Sequence, residues 1–210
     1  MRALATMLLV AAAFSFGCGG RVQAEPAGTD RGRTQHFTLS DAGSIASAGP
    51  AASAWTWLAK PAPPEQGEIR SQDPLIVALR RRLGRLTSKG DANHKWIDHD
   101  KLAHLGVGVY PNSREAHDAL EALDAFALGI ARRMLSVTRD ADIQGLGDEA
   151  HVVLARGATG PEATYHWRRA NLLVEAHMQC FGTCPGKVAA AARRWAEAVD
   201  ASAARSGRGT

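Results

Sequence analysis

Cysteine is scarce, with three in 210 residues: Cys18, Cys180 and Cys184. That is too few for a disulfide-stapled miniprotein, and the uneven placement argues against a zinc ribbon. Aromatic residues make up 6% of the chain, and lysine supplies only five of the 25 basic side chains. No strong charge of one sign is present. The formal excess of +4 does not support dedicated nucleic-acid binding without clustering. The sequence also lacks a Gly-x-Ser-x-Gly elbow, a phosphate-binding loop and a dinucleotide fingerprint, and no nucleophile stands beside a base. Catalysis therefore has no visible carrier, and no cofactor is expected. The longest mostly apolar run, Ala3 to Phe16, covers 14 residues, short for a membrane span but suited to the apolar region of an export signal.

What is present speaks first of location. Arg2 gives a minimal positive start, and the apolar run closes on Ser15-Phe16-Gly17-Cys18. Gly17-Cys18 has the form of a lipobox, in which a bacterial lipoprotein is cut before a cysteine that is then acylated. Ser15 stands where leucine is usual, and Val22-Gln23-Ala24 offers a competing site for ordinary secretory cleavage. The expectation is lipidation at Cys18, with free secretion as the alternative. Each acyl chain contributes about 0.8 kcal/mol per buried CH₂, so a triacylated cysteine anchors stably. The mature chain then has 193 residues.

The expected organisation is a signal peptide over 1–17, a flexible tether over 18–67, a globular domain over 68–204 and a short tail over 205–210. Gly49-Pro50 and Pro61-Ala62-Pro63-Pro64 mark breaks in the tether. Trp55 and Trp57 are its most concentrated apolar group.

Within the domain, Asp73-Pro74 reads as a helix start, with Leu75, Leu79, Leu83 and Leu86 on one side and Arg80, Arg81, Arg82 and Arg85 on the other. The arginines form either a solvated face or a surface for anionic lipid or cell-wall polymer. Residues 94–110 read as a hairpin, because Ala103, Leu105, Val107 and Val109 alternate on one face. Asn112-Ser113-Arg114-Glu115 opens a long helix through about residue 136, with Ala116, Leu120, Leu123, Ala127, Ile130 and Met134 inward. A strand around Val152 to Leu154 follows, closed by Gly157. Thr164 to Arg168 and Leu172 to Cys180 then pair across Arg169-Ala170-Asn171, with Asn171 expected to take the left-handed conformation. Pro185 opens a last helix with Val188, Ala192, Trp195, Val199 and Ala203 buried. The predicted fold is α+β: an antiparallel sheet of about five strands with two or three helices packed on one face.

Three groups of residues invite chemistry. Cys180 and Cys184, outside the cytoplasm, read as a structural disulfide closing a short loop. His94, Asp98, His99, Asp100 and His104 have zinc-type side chains, but strand geometry sends neighbours to opposite faces, so a polar hairpin turn is expected. His151, His166 and His177 fall on three neighbouring strands, where the solvent face or rim of the sheet is expected and convergence is the alternative. Gly145 to Glu149 reads as a turn leading into a strand, since Asp148 and Glu149 repel phosphate.

Gly145-Leu146-Gly147-Asp148-Glu149-Ala150, the turn Arg168-Arg169-Ala170-Asn171 and the closing helix resemble the C-terminal domain of actinobacterial exported lipoproteins of uncharacterised function. Related folds serve as extracellular sensor domains of receptor kinases. The resemblance covers about residues 70–204 and implies a sensor-like fold with no catalytic residues. Many relatives carry Cys-x-Trp before the first long strand; here His94-Lys95-Trp96 stands there, so that family disulfide does not transfer. The expectation is a membrane-anchored, extracytoplasmic, non-catalytic binding or sensor-like domain. Its partners are the membrane and an envelope protein or small ligand, with no nucleic acid. A metal-binding protein or metal-dependent enzyme using the histidines, and an envelope scaffold, are the alternatives.

Overall fold

The computed structural model describes residues 35–50, 61–62, 73–98, 100–181 and 188–206. The first element is one that the tether reading did not anticipate. Helix α1 (Leu39–Ala46) is closed at its start by a capping box between Thr38 and Asp41, which satisfies two otherwise orphaned amides. Phe37, Ala42, Ile45 and Ala46 are buried in the main core. Part of the segment expected to be tether is therefore domain.

A two-residue strand, β1 (Pro61–Ala62), precedes α2 (Pro74–Leu83), β2 (Gly90–Asp98), β3 (Lys101–Val109) and α3 (Ser113–Met134). They are followed by β4 (Ser136–Ile143), β5 (Glu149–Gly157), β6 (Gly160–Arg169), β7 (Leu172–Cys180) and α4 (Val188–Ser206). The strands form one antiparallel sheet in the order β1-β2-β3-β7-β6-β5-β4. Six strands are full length, one more than expected. The additional one is β4, whose charged, bulged sequence hides its period.

Asp73 caps α2 by accepting from the amides of Leu75 and Ile76, with Pro74 in the first turn. The deeply buried residue of α2 is Ile76, whereas Leu75 is 43% exposed. On α3, Asn112 accepts from the Glu115 amide. Phe126 is buried and Met134 exposed, so the inward stripe ends earlier than the sequence periodicity suggested.

Helices cover both faces of the sheet, which corrects the one-face expectation. Leu105, Val107, Val174 and Ala176 point to one face and pack with α1 and with the Val188, Ala192, Trp195, Val199 and Ala203 stripe of α4. Trp96 meets Trp195 edge-on, with ring centroids 5.7 Å apart. The other face lies under α3, on which α2 packs. Its apolar contacts form two small groups: Tyr110, Leu120, Leu123 and Leu173 at one end, and Ile76, Phe126 and Ile130 joining α2 to α3. Between them the sheet is polar.

The β6–β7 turn reverses another expectation. Ala170, not Asn171, takes the positive φ of 50°. Asn171 is turned inward and buried, where its Oδ1 accepts from the Phe37 amide at 2.8 Å and its Nδ2 donates to the carbonyls of Phe37 and Tyr110. One amide side chain thus holds the N-terminal segment on the sheet.

Candidate functional site

The register of the strands builds the polar face. Pairing sets Lys95 opposite His104, His104 opposite His177, and His177 opposite Thr164. The next row places Glu175 opposite His166, His166 opposite His151, and His151 opposite Asp142. Residues two apart share a face, so these side chains gather on the side facing α3. Lys95, His104, Thr164, His166, Glu175, His177 and Gln179 are all buried.

Glu175 is the centre. It lies on β7, a strand buried along its whole length. His104 Nδ1 is 3.5 Å from one carboxylate oxygen and His166 Nε2 is 3.7 Å from the other, long for hydrogen bonds. Both nitrogens and Glu175 Oε1 have no hydrogen-bond partner. His166 Nδ1 is 2.6 Å from Asp124 Oδ1 of α3, so this imidazole spans the helix and the sheet between two carboxylates. His177 Nδ1 is 2.9 Å from Thr164 Oγ1.

Burial pushes the Glu175 carboxyl up, but the imidazoles of His104, His166 and His177 outweigh it and hold the group below its usual value. His177 goes the other way. Burial drives it down to about 4, aided by His104, His166 and Lys95 and opposed by Glu175. One carboxylate and one imidazole in the same patch are thus held in opposite charge states, ionised and neutral, at neutral pH. At the sheet edge, burial lowers His151, but its bond to Asp142 and the nearby Asp124 and Asp140 raise it overall. Glu162, at the other end of β6, is raised to about 7 by burial.

The first histidine group does not assemble. His94 is on the α1/α4 side, stacked on Trp96 at 5.8 Å. His104 points to the opposite face, and Asp98 and Asp100 pair with Lys101. His99 lies outside the described residues. The second group is brought together: His151, His166 and His177 share one face, and His166 and His177 are buried rather than on a solvent face or rim. Glu175, Asp124, Lys95 and Thr164 complete the patch. Among the described residues, no three histidine, cysteine, aspartate or glutamate groups are placed to hold one metal ion.

Cys180 is fully buried at the end of β7 and engaged in a disulfide. Cys184 lies outside the described residues, as do Cys18, Trp55 and Trp57, so the Cys180–Cys184 pairing stays a proposal. Gly145 to Glu149 is a turn: Asp148 accepts from the Ala170 amide at 2.7 Å, and Glu149 pairs with Arg168 at 2.8 Å. No described helix is long and apolar enough to cross a membrane.

No protein-family model matches the chain. No curated protein matches it either. Among solved structures, the extracellular domain of PknH from Mycobacterium tuberculosis is similar, with 13% identity over 71% of this chain and 81% of that chain and a TM-score of 0.36. A likeness of that size fixes neither family nor function.

Proposed function

We propose that the chain is an exported, lipid-anchored envelope protein whose folded domain is a non-catalytic binding or sensor domain, with the α2–α3 layer as its responsive part. The observation that carries the reading is the seam between α3 and the sheet. A layer needed only for stability is held best by apolar contacts, because burying ionised groups costs several kcal/mol each before their mutual attraction offsets it. The α1/α4 side follows that rule. The α3 side places Asp124, His166, Glu175 and His104 in the seam with three polar atoms unsatisfied, the kind of strained polar contact that functional elements retain. The burial of His104, His166 and Glu175 beneath the helical layer favours a responsive element over an active site.

Gly17-Cys18 at the end of the apolar run supports the anchor. Labelling cells with a fatty-acid probe tests it: label on the wild type and none on Cys18→Ala is expected, whereas no label on either removes the anchor. Crosslinking in intact cells followed by mass spectrometry tests the binding half, and recovery of no envelope partner or ligand above background removes it. The metal-binding alternative draws on His166, whose Nδ1 on Asp124 resembles the way carboxylates orient metal-ligating imidazoles. Stoichiometric metal in the purified protein would favour it.

A further inference from the structure

We propose that the seam between α3 and the sheet is a proton-operated latch, closed by proton uptake and loosened by proton loss as the pH rises above neutrality; the inference rests on the reading of α2–α3 as the responsive layer and names what that layer responds to. The geometry that carries it is a row of imidazole–carboxylate contacts. Among the described residues α3 makes three polar ties to the sheet. His117 Nδ1, near the start of the helix, is 2.6 Å from Glu149 Oε2 of β5. Asp124 Oδ1, near its middle, is 2.6 Å from His166 Nδ1 of β6. Arg132, near its end, donates to Asp140 Oδ2 of β4 at 3.1 Å, and the other oxygen of Asp140 is 2.7 Å from His151 Nε2. Each tie thus either contains an imidazole or shares its carboxylate with one. An imidazolium bonded to a carboxylate is held by charge as well as by the hydrogen bond, and the charge goes when the proton leaves.

The groups around these ties set the direction. His117 faces Glu149 of β5 and Arg168 of β6, with Glu121 one turn along its own helix, and Glu121 in turn meets Arg82 of α2. The bond to Glu149 raises His117, and the rise survives the opposition of burial and Arg168. His151 lies between Asp142 and Asp140 of β4, opposite His166 of β6 and near Asp124 of α3. Burial lowers it, but the three carboxyl groups outweigh burial and raise it. A third group of the same sign stands at the end of α3. Glu162 is on the seam face of β6, opposite Gln179 of β7 and Ala155 of β5. A Cβ on Gly157 would lie 2.8 Å from Leu135, the C-cap of α3, and 3.3 Å from the Glu162 carboxyl, so this carboxyl is next to the helix end. Burial raises it to about 7.

All three groups hold a proton more tightly while α3 is docked. Their contribution to docking is complete below the ordinary values and is withdrawn as the pH climbs through the raised ones, from 4.5 to about 7 for Glu162 and from 6.5 upward for the two imidazoles. The seam groups of opposite sign act elsewhere. His177 changes between about 4 and 6.5. Glu175, held down by His104, His166 and His177, and Glu149, held down by Arg168 and His117, change below 4.5. Tyr110, raised by burial and by Asp91, changes above 10. Just above pH 6.5 the shifted groups of the seam therefore act in one direction, toward release of α3.

The test is native-state hydrogen exchange of the full mature chain as Cys18→Ala, at about pH 6.5 and about pH 8.5, with rates corrected for intrinsic exchange at each pH. Protection of the α3 amides over Ala116–Ile130 is expected to fall at least about threefold relative to that of Ala191–Ala203 in α4. In His117→Gln/His151→Gln, which removes both titrations, that fall is expected to shrink by at least about half. His117→Arg, whose charge does not leave in this range, is expected to keep the protection of Ala116–Leu123 at the higher pH. If the double variant leaves α3 unprotected at both values, His117→Arg decides: retained protection supports the latch, and a fall equal to that of the wild type overturns it. An equal fall in both helices, no fall in α3, or an undiminished fall in a protected double variant also overturns it. Equal opening of α3 and α4 at both values removes the responsive-layer reading itself, whereas an α3 that opens more easily than α4 by the same margin at both removes the latch alone.

Discussion

Burial of the His177 imidazole makes the protein acid-sensitive. Its imidazole is fully buried and held down to about 4 from the ordinary 6.5. A histidine with a depressed folded value contributes stability that is present above pH 6.5 and is withdrawn as the pH falls toward 4, because the unfolded chain takes up the proton first. The full shift corresponds to about 3 kcal/mol, of which about 2 kcal/mol is lost between about pH 7.5 and about pH 5. Glu162 works against it: raised to about 7, it favours the folded state in acid, and that contribution falls as the pH rises from 4.5 to about 7. His151 and His117, both raised, also favour the folded state in acid. The wild-type curve is therefore a sum of opposing parts, and the difference between proteins is the informative quantity. His177→Gln keeps a neutral side chain facing Thr164 and removes the titration. Urea unfolding followed by tryptophan fluorescence at both pH values should show the variant losing about 2 kcal/mol less than the wild type on acidification. Equal acid losses in the two proteins would refute the reasoning.

Other perturbations probe the frame around the seam. Asn171→Ala removes three buried hydrogen bonds to Phe37 and Tyr110 and should cost about 3 kcal/mol in urea unfolding, with earlier proteolytic cleavage near Phe37. Ala170→Gly relieves a positive φ of 50° and should stabilise by about 0.5–1 kcal/mol, read as a higher midpoint at unchanged slope. Gly147→Ala should destabilise by at least about 2 kcal/mol in the same assay, since its φ is +49° and a Cβ would lie 2.2 Å from the Arg168 carbonyl oxygen.

Much of the fold was legible because period and punctuation agreed. The β3 alternation of Ala103, Leu105, Val107 and Val109 and the α4 stripe ending at Ala203 are buried as read. Asp73-Pro74 and Asn112 cap the helices they were expected to open. What escaped were elements whose stability is tertiary. Helix α1 has eight residues, too few to be stable alone, and is fixed by the distant Asn171. Strand β4 carries Arg139, Asp140 and Asp142 with a bulge near Thr138, so neither period shows. The seam does leave a signal in the sequence. Glu175, His177 and Gln179 alternate along a strand otherwise apolar, as do Thr164 and His166 on β6, which marks one polar face. With helices expected on one side only, that face reads as solvent-facing, whereas α3 covers it. Asp124 gives no such signal, since a lone acid on a helix is ordinarily solvated.

The central claim is that the domain has one layer fixed by an apolar core and another held across a polar seam. Native-state hydrogen exchange compares them directly, residue by residue, in α3 and α4. The account predicts that amides over Ala116–Ile130 exchange through openings at least about 2 kcal/mol cheaper than those releasing Ala191–Ala203. It also predicts that Glu175→Gln widens the gap. Equal opening free energies in the two helices, in wild type and variant alike, would contradict it.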